Sequence, residues 1–145
     1  MAAGETSRAM DKISPKMLAP SLDDLEVIAR DAFAALPEHF RRLSGDIQFR
    51  VSEFPEESVL DDLGIESEFD ILGLFQGVGM AHDSAVPQTG QMPNMIWLYR
   101  RPILDYRAEH EEGLGMIVSH VLVHEIGHHF GLSDDDMEAI EAGVG

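Results

Sequence analysis

The stretch at residues 116–134 reads MIVSHVLVHEIGHHFGLSD and combines an apolar helical pattern with four of the chain's histidines. Its first half is almost entirely apolar at helical spacing, and Gly131 is placed to end a helix. The sequence therefore predicts a core helix that runs into a polar, histidine-rich turn. The residues expected to be buried in it are Met116, Ile117, Val118, Val121, Leu122, Val123 and Ile126.

His124 and His128 are four residues apart, so on a helix they lie on one face and can offer imidazole nitrogens to the same ion. Glu125 is offset by about 100° around the helix axis, which keeps it off the ion but close to a water that the ion polarises. The spacing predicts a divalent-metal site, with one Zn²⁺ ion and Glu125 as the general base.

A catalytic zinc ion commonly has three protein ligands and one open position, so a third ligand is expected. The chain has no cysteine, which leaves histidine and carboxylate as ligands. Gly131 permits a left-handed turn after which Asp134 can return to the metal. Asp135 and Asp136 compete for that role, and only spacing favours Asp134.

Chance is a weak explanation of this motif. A chain of this composition gives roughly 0.03 HExxH matches, and on the order of 10⁻⁴ when Gly131 and Asp134 are also required. His120 precedes His124 by one turn, but a zinc site rarely takes ligands from three successive turns, so we expect it outside the ligand set. His129 points away from the metal face and is expected to pack or to lie on the surface.

The composition indicates one soluble globular domain of 145 residues with 44% hydrophobic residues. The formal charge of −17 repels a phosphate backbone, so we expect no nucleic-acid partner. There is no apolar run of spanning length, so we expect the protein not to enter a membrane. The missing cysteines and export signal favour a cytoplasmic protein, and the acidic charge favours a monomer.

Residues 1–20 are predicted to be a flexible arm, and residues 21–145 to be the domain. The pattern predicts a helix from Leu22 to before Pro37, with a short continuation to Leu43. Strands are expected at 47–51 and at 95–99. The apolar run 71–80, which glycines interrupt, is expected to be a strand that bends or bulges into a second strand. A short helix is expected within 55–64 and a loop at 81–93, while Pro102 opens an acidic region.

The segment HExxHxxGxxD resembles the metzincin zinc motif with its third histidine replaced by aspartate. Together with the strand 95–101 and the glycine-rich apolar run before it, it is similar to the small bacterial zincin-like metallopeptidase family. The resemblance implies an α+β fold, a compact single zincin-like domain with a small mixed sheet beside the active-site helix. It also implies metal binding by His124, His128 and Asp134, with Glu125 as the base. Only eleven residues follow Asp134, too few for the separate methionine turn of metzincins.

Three classes of function follow from these residues. The first is a zinc metallopeptidase that binds a peptide or unfolded polypeptide along a strand edge, supplied by strand 95–99 or by the run 71–80. The alternative is a non-catalytic zinc-binding or interaction module. A metal-dependent RNA hydrolase is disfavoured by Glu125 and by the negative charge.

Overall fold

The computed structural model describes residues 19–77 and 94–143. These residues build a three-stranded mixed sheet in the order β1-β3-β2. Strand β1 (Ile47–Ser52) runs parallel to β3 (Asn94–Tyr99), and β2 (Gly73–Gln76) runs antiparallel to β3 on its other side. The expected α+β domain with a small mixed sheet is confirmed.

Helices pack on this sheet and enclose the core. Within the described ranges they are α1 (Leu22–Ala34), α2 (Glu38–Ser44), α3 (Glu57–Leu63), α4 (Arg100–His110), α5 (Leu114–His129) and α6 (Asp134–Ala142). A single 3₁₀ turn covers Glu68–Asp70. None of these helices is long and apolar enough to cross a membrane, for the residues that the structure describes.

Helix α1 begins where its sequence predicts. The Ser21 hydroxyl accepts a hydrogen bond from the Asp24 amide at 3.0 Å, and the Asp24 carboxylate accepts one from the Ser21 amide at 2.9 Å. This reciprocal capping box satisfies two amides that a helix start leaves without partners. Helix α2 is the predicted continuation after Pro37, and α3 ends at Gly64 in the left-handed conformation (φ 70°).

Helix α5 is the predicted core helix, and six of its seven expected buried residues are buried. Met116 is the exception, because 70% of its surface is exposed. It lies in the first turn of α5, where it lines an open cavity of about 570 Å³ with Ile28 and Ala32 of α1. Apolar character alone did not distinguish this position from its buried neighbours.

Two helices were not predicted from the sequence. Pro102 lies in the first turn of α4. Proline has no amide hydrogen, and since an amide in the first turn has no acceptor within the helix, proline is tolerated there. The acidic segment after the motif folds as α6, capped by the Ser133 hydroxyl, which accepts a hydrogen bond from the Asp136 amide at 3.0 Å. The run 71–80 forms β2, while its residues 78–80, the arm at 1–18 and the loop at 81–93 lie outside the described residues.

Candidate metal centre

Helix α5 presents two faces to the site. Val121, Glu125 and His129 follow at four-residue intervals and share the face turned toward β2. The His129 ring packs edge-on against the Phe75 ring with centroids 4.7 Å apart. At Val121 the approach is so close that a Cβ added to Gly73 would lie 2.6 Å from its Cγ1. Glu125 lies between these two contacts, so it faces the β2 side of the helix.

The second face carries the histidine pair. The rings of His124 and His128 stand nearly perpendicular with centroids 5.7 Å apart. His124 is half-buried and His128 is exposed. The structure thus places both imidazoles on one accessible face, which is what the four-residue spacing predicts. Two imidazoles and nearby carboxylates form a donor set that suits Zn²⁺.

His124 is held in the form that binds metals. Its burial lowers its pKa, and the neighbouring His120 and His128 lower it further, while the charge of Glu141 acts in the opposite direction. A lowered pKa favours the neutral imidazole at neutral pH. Only that form has a ring nitrogen with a lone pair for a metal ion.

Glu125 occupies a partly desolvated position. Burial raises the pKa of its carboxyl group to about 7, since the charged form loses hydration there. Burial, and then the charges of Glu56 and Glu125, also raise the pKa of Tyr99 to about 12. Tyr99 is only 2% exposed, so it is a core residue, and the charge of the Glu125 carboxylate contributes to the rise in its pKa.

The structure brings together one group of three metal-type side chains within the described ranges, and it differs from the predicted set. His120, His124 and Glu141 place one ligand atom each within 4.8 Å of one another. Oε2 of Glu141 lies 3.0 Å from His120 Nδ1 and 3.0 Å from His124 Nε2. This oxygen is buried and accepts no hydrogen bond from the residues that the structure describes, whereas Oε1 of the same carboxylate lies 3.2 Å from His120 Nδ1.

Asp134 is not part of that group. It is the first residue of α6, exposed to solvent, and follows Gly131, which takes the left-handed conformation (φ 80°) that the sequence predicts there. Asp135 and Asp136 are exposed beside it, and the Asp136 carboxylate is used in capping α6. The role of Asp134 as third ligand therefore stays a prediction.

Glu141 was missed by the sequence analysis, and His120 was placed outside the ligand set. Glu141 stands thirteen residues after His128, in a segment where no helix was predicted. Only the fold of α6 back onto α5 brings its carboxylate to His124. The sequence did contain one indication that His120 lies near His124, because histidines 120, 124 and 128 follow at four-residue intervals on one helix.

The turn between α5 and α6 is supported by buried packing. Met137 of α6 is completely buried beneath Gly127, where a Cβ added to that glycine would lie 2.6 Å from the Met137 Sδ. The Leu132 amide donates to the Gly127 carbonyl at 2.9 Å, which closes the end of α5. This packing fixes the position of α6, and with it Glu141, against the motif helix.

The fold and the site together define a class of protein, a compact α+β domain whose central helix presents an HExxH motif beside a small mixed sheet. Residues 44–144 match the family model described as zincin-like metallopeptidase. The chain belongs to this family, and the family supports a hydrolase of the metallopeptidase kind. No curated protein matches the chain.

Proposed function

We propose that the protein is a zinc-dependent peptidase that hydrolyses peptide bonds, with Glu125 as general base and His124, His128 and Asp134 as zinc ligands. The observation that carries the proposal is the position of Glu125. It is half-buried on the β2 side of α5, next to a histidine pair on an accessible face of the same helix. A purely structural zinc site has no use for a partly desolvated carboxylate at that position.

Strand β2 is the edge along which the substrate binds in this proposal. Of the two strand edges that the sequence offered, strand 95–99 lies in β3, which is central between β1 and β2, and this leaves the run 71–80, which contains β2. Within residues 19–77 and 94–143, β2 pairs with β3 alone. An extended peptide can add to the outer edge of β2 through main-chain hydrogen bonds. Contacts at Val121 and His129 bracket Glu125 along this strand.

The residues divide the chemistry between them. Zn²⁺, when bound, makes water more acidic and polarises a carbonyl group. The Glu125 carboxylate accepts a proton from the attacking water and delivers it to the leaving amine. Its pKa near 7 suits both steps at neutral pH, because a catalytic acid–base group works best when its pKa lies near the working pH.

The test is cleavage of a quenched-fluorescent peptide library and of an unfolded polypeptide by the zinc-loaded protein. We expect cleavage that a chelator stops and that zinc restores. Glu125→Gln should retain its zinc while cleavage falls by about 10²- to 10⁴-fold, the usual contribution of a general base.

Glu138→Gln is the matched control, since Glu138 is an exposed acid on α6 outside the site. It should cleave at the wild-type rate. If the zinc-loaded wild type cleaves no member of a broad library, peptidase activity is refuted and a zinc-binding module becomes the better description.

A further inference from the structure

His120, His124 and Glu141 form a cluster one helical turn before the HExxH pair. The rings of His120 and His124 lie side by side on α5 with centroids 4.0 Å apart and planes tilted by 32°, and the Glu141 carboxylate reaches them from α6. His120 is more than half exposed, and His124 and Glu141 are each about 30% exposed, so the cluster opens to solvent. His120 and Glu141 also line the cavity of about 570 Å³ between α1 and α5.

The Glu141 carboxylate faces both imidazoles, and its Oε1 lies 3.2 Å from His120 Nδ1, at hydrogen-bond distance. The other oxygen, Oε2, is buried and lies 3.0 Å from a nitrogen of each imidazole, and it has no hydrogen-bond partner among the residues that the structure describes. Two ligands of one tetrahedral Zn²⁺ ion, each about 2.0–2.1 Å from it, stand about 3.3 Å apart. The observed separations are close to that value. A buried carboxylate oxygen without a donor is costly unless a cation satisfies it.

We propose that His120, His124 and Glu141 form a second divalent-cation site, which shares His124 with the HExxH pair. Two imidazoles and one carboxylate select an ion of the zinc or cobalt kind, whereas calcium and magnesium take oxygen ligands. The open cavity beside His120 gives the ion and its remaining water ligands access from solvent.

Sharing His124 makes the two positions mutually exclusive. A neutral imidazole has one nitrogen lone pair for a metal, so His124 serves one ion at a time. An ion held by His120 and Glu141 therefore withdraws His124 from the site beside Glu125. If the protein is the peptidase proposed above, an ion at the second site inhibits it, because His124 can then no longer bind the ion beside Glu125. This consequence rests on the proposed function.

The decisive experiment measures Co²⁺ binding by visible absorption and calorimetry in the full chain carrying His128→Asn. This change removes the HExxH pair but leaves the second site whole. We expect the variant to bind one Co²⁺ ion per chain. Adding Glu141→Gln should lower the Co²⁺ affinity at least about tenfold, because even the loss of a residue that only hydrogen-bonds to a metal ligand lowers metal affinity by about 10- to 100-fold.

Glu138→Gln on the same His128→Asn background is the matched control and should leave Co²⁺ affinity unchanged. If Glu141→Gln alters the circular dichroism spectrum of the protein, His120→Asn is used in its place to remove a ligand of the second site. The proposal is overturned if His128→Asn binds no Co²⁺, or if neither Glu141→Gln nor His120→Asn weakens its binding.

These outcomes are separate from those of the peptidase assay. A wild type that cleaves nothing refutes the proposed function and leaves the Co²⁺ result standing. A His128→Asn variant without Co²⁺ refutes the second site and leaves peptide cleavage by the wild type untouched. In an active protein, excess Zn²⁺ should reduce cleavage, and Glu141→Gln should reduce that inhibition.

Discussion

Gly127 and Met137 provide a test of the packing that holds the site together. In Gly127→Ala the new Cβ would lie 2.6 Å from the Met137 Sδ and 2.9 Å from its Cγ, well inside van der Waals contact. Alanine in a helix interior is favoured over glycine by about 1 kcal/mol. Overpacking of a core costs about 1–3 kcal/mol. The free energy of unfolding should therefore fall by as much as about 2 kcal/mol.

When Met137 is replaced by alanine, Gly127→Ala should raise the free energy of unfolding rather than lower it. Met137 is completely buried, so Met137→Ala should cost about 2–5 kcal/mol. In Gly127→Ala/Met137→Ala the clash is absent, the helix preference remains and the new methyl fills part of the cavity. The double variant should be more stable than Met137→Ala by about 1 kcal/mol.

Urea unfolding monitored by circular dichroism measures all four proteins in one double-mutant cycle. The expected coupling energy is about 1–3 kcal/mol, which lies within the range of about 0.5–3 kcal/mol found for residues in contact. Additive effects within about 0.5 kcal/mol would refute the argument that Gly127 is required by the approach of Met137.

Two further predictions concern Glu125 and the β2–α5 contact. Glu125 has a folded pKa of about 7 against an ordinary 4.5, so the folded chain prefers its protonated form and loses stability as pH rises through 7. In chelator-stripped protein at pH 8, the free energy of unfolding of Glu125→Gln should therefore exceed that of wild type by up to about 3 kcal/mol, and the difference should vanish near pH 4.5. Urea titrations at the two pH values measure this, and an equal free energy of unfolding at pH 8 would contradict it. Gly73→Ala would place a Cβ 2.9 Å from the Trp97 carbonyl oxygen, so it should lower the free energy of unfolding by about 1–3 kcal/mol. Gly115→Ala should not lower it, because no atom of the described residues outside its own helix backbone lies within 4 Å of the added Cβ, and a urea titration that ranks the two variants equally would count against the close approach of β2.

Helix α5, strand β1 and the left-handed Gly131 could be read from the sequence because each is a local property. Helical spacing of apolar residues, strict alternation at 47–51 and a glycine after a helix are visible within a few residues of chain. The two unpredicted helices show the limit of such patterns. The region after Pro102 was predicted only to be acidic, although proline is tolerated in the first turn of a helix. In α6 the acidic residues outnumber the apolar pair Met137 and Ile140 that the helix buries, so the helical spacing was not recognised.

The sequence by itself determined that His124 and His128 share a helix face and that Glu125 lies beside them, because residues four apart on a helix are always neighbours. The packing of the tertiary structure puts β2 beside Glu125, at an edge of the sheet formed by the described residues, and puts Met137 in the space under Gly127. It also brought Glu141 to His120 and His124. These contacts join residues far apart in the chain, so their formation depends on how whole elements pack, which no local spacing encodes.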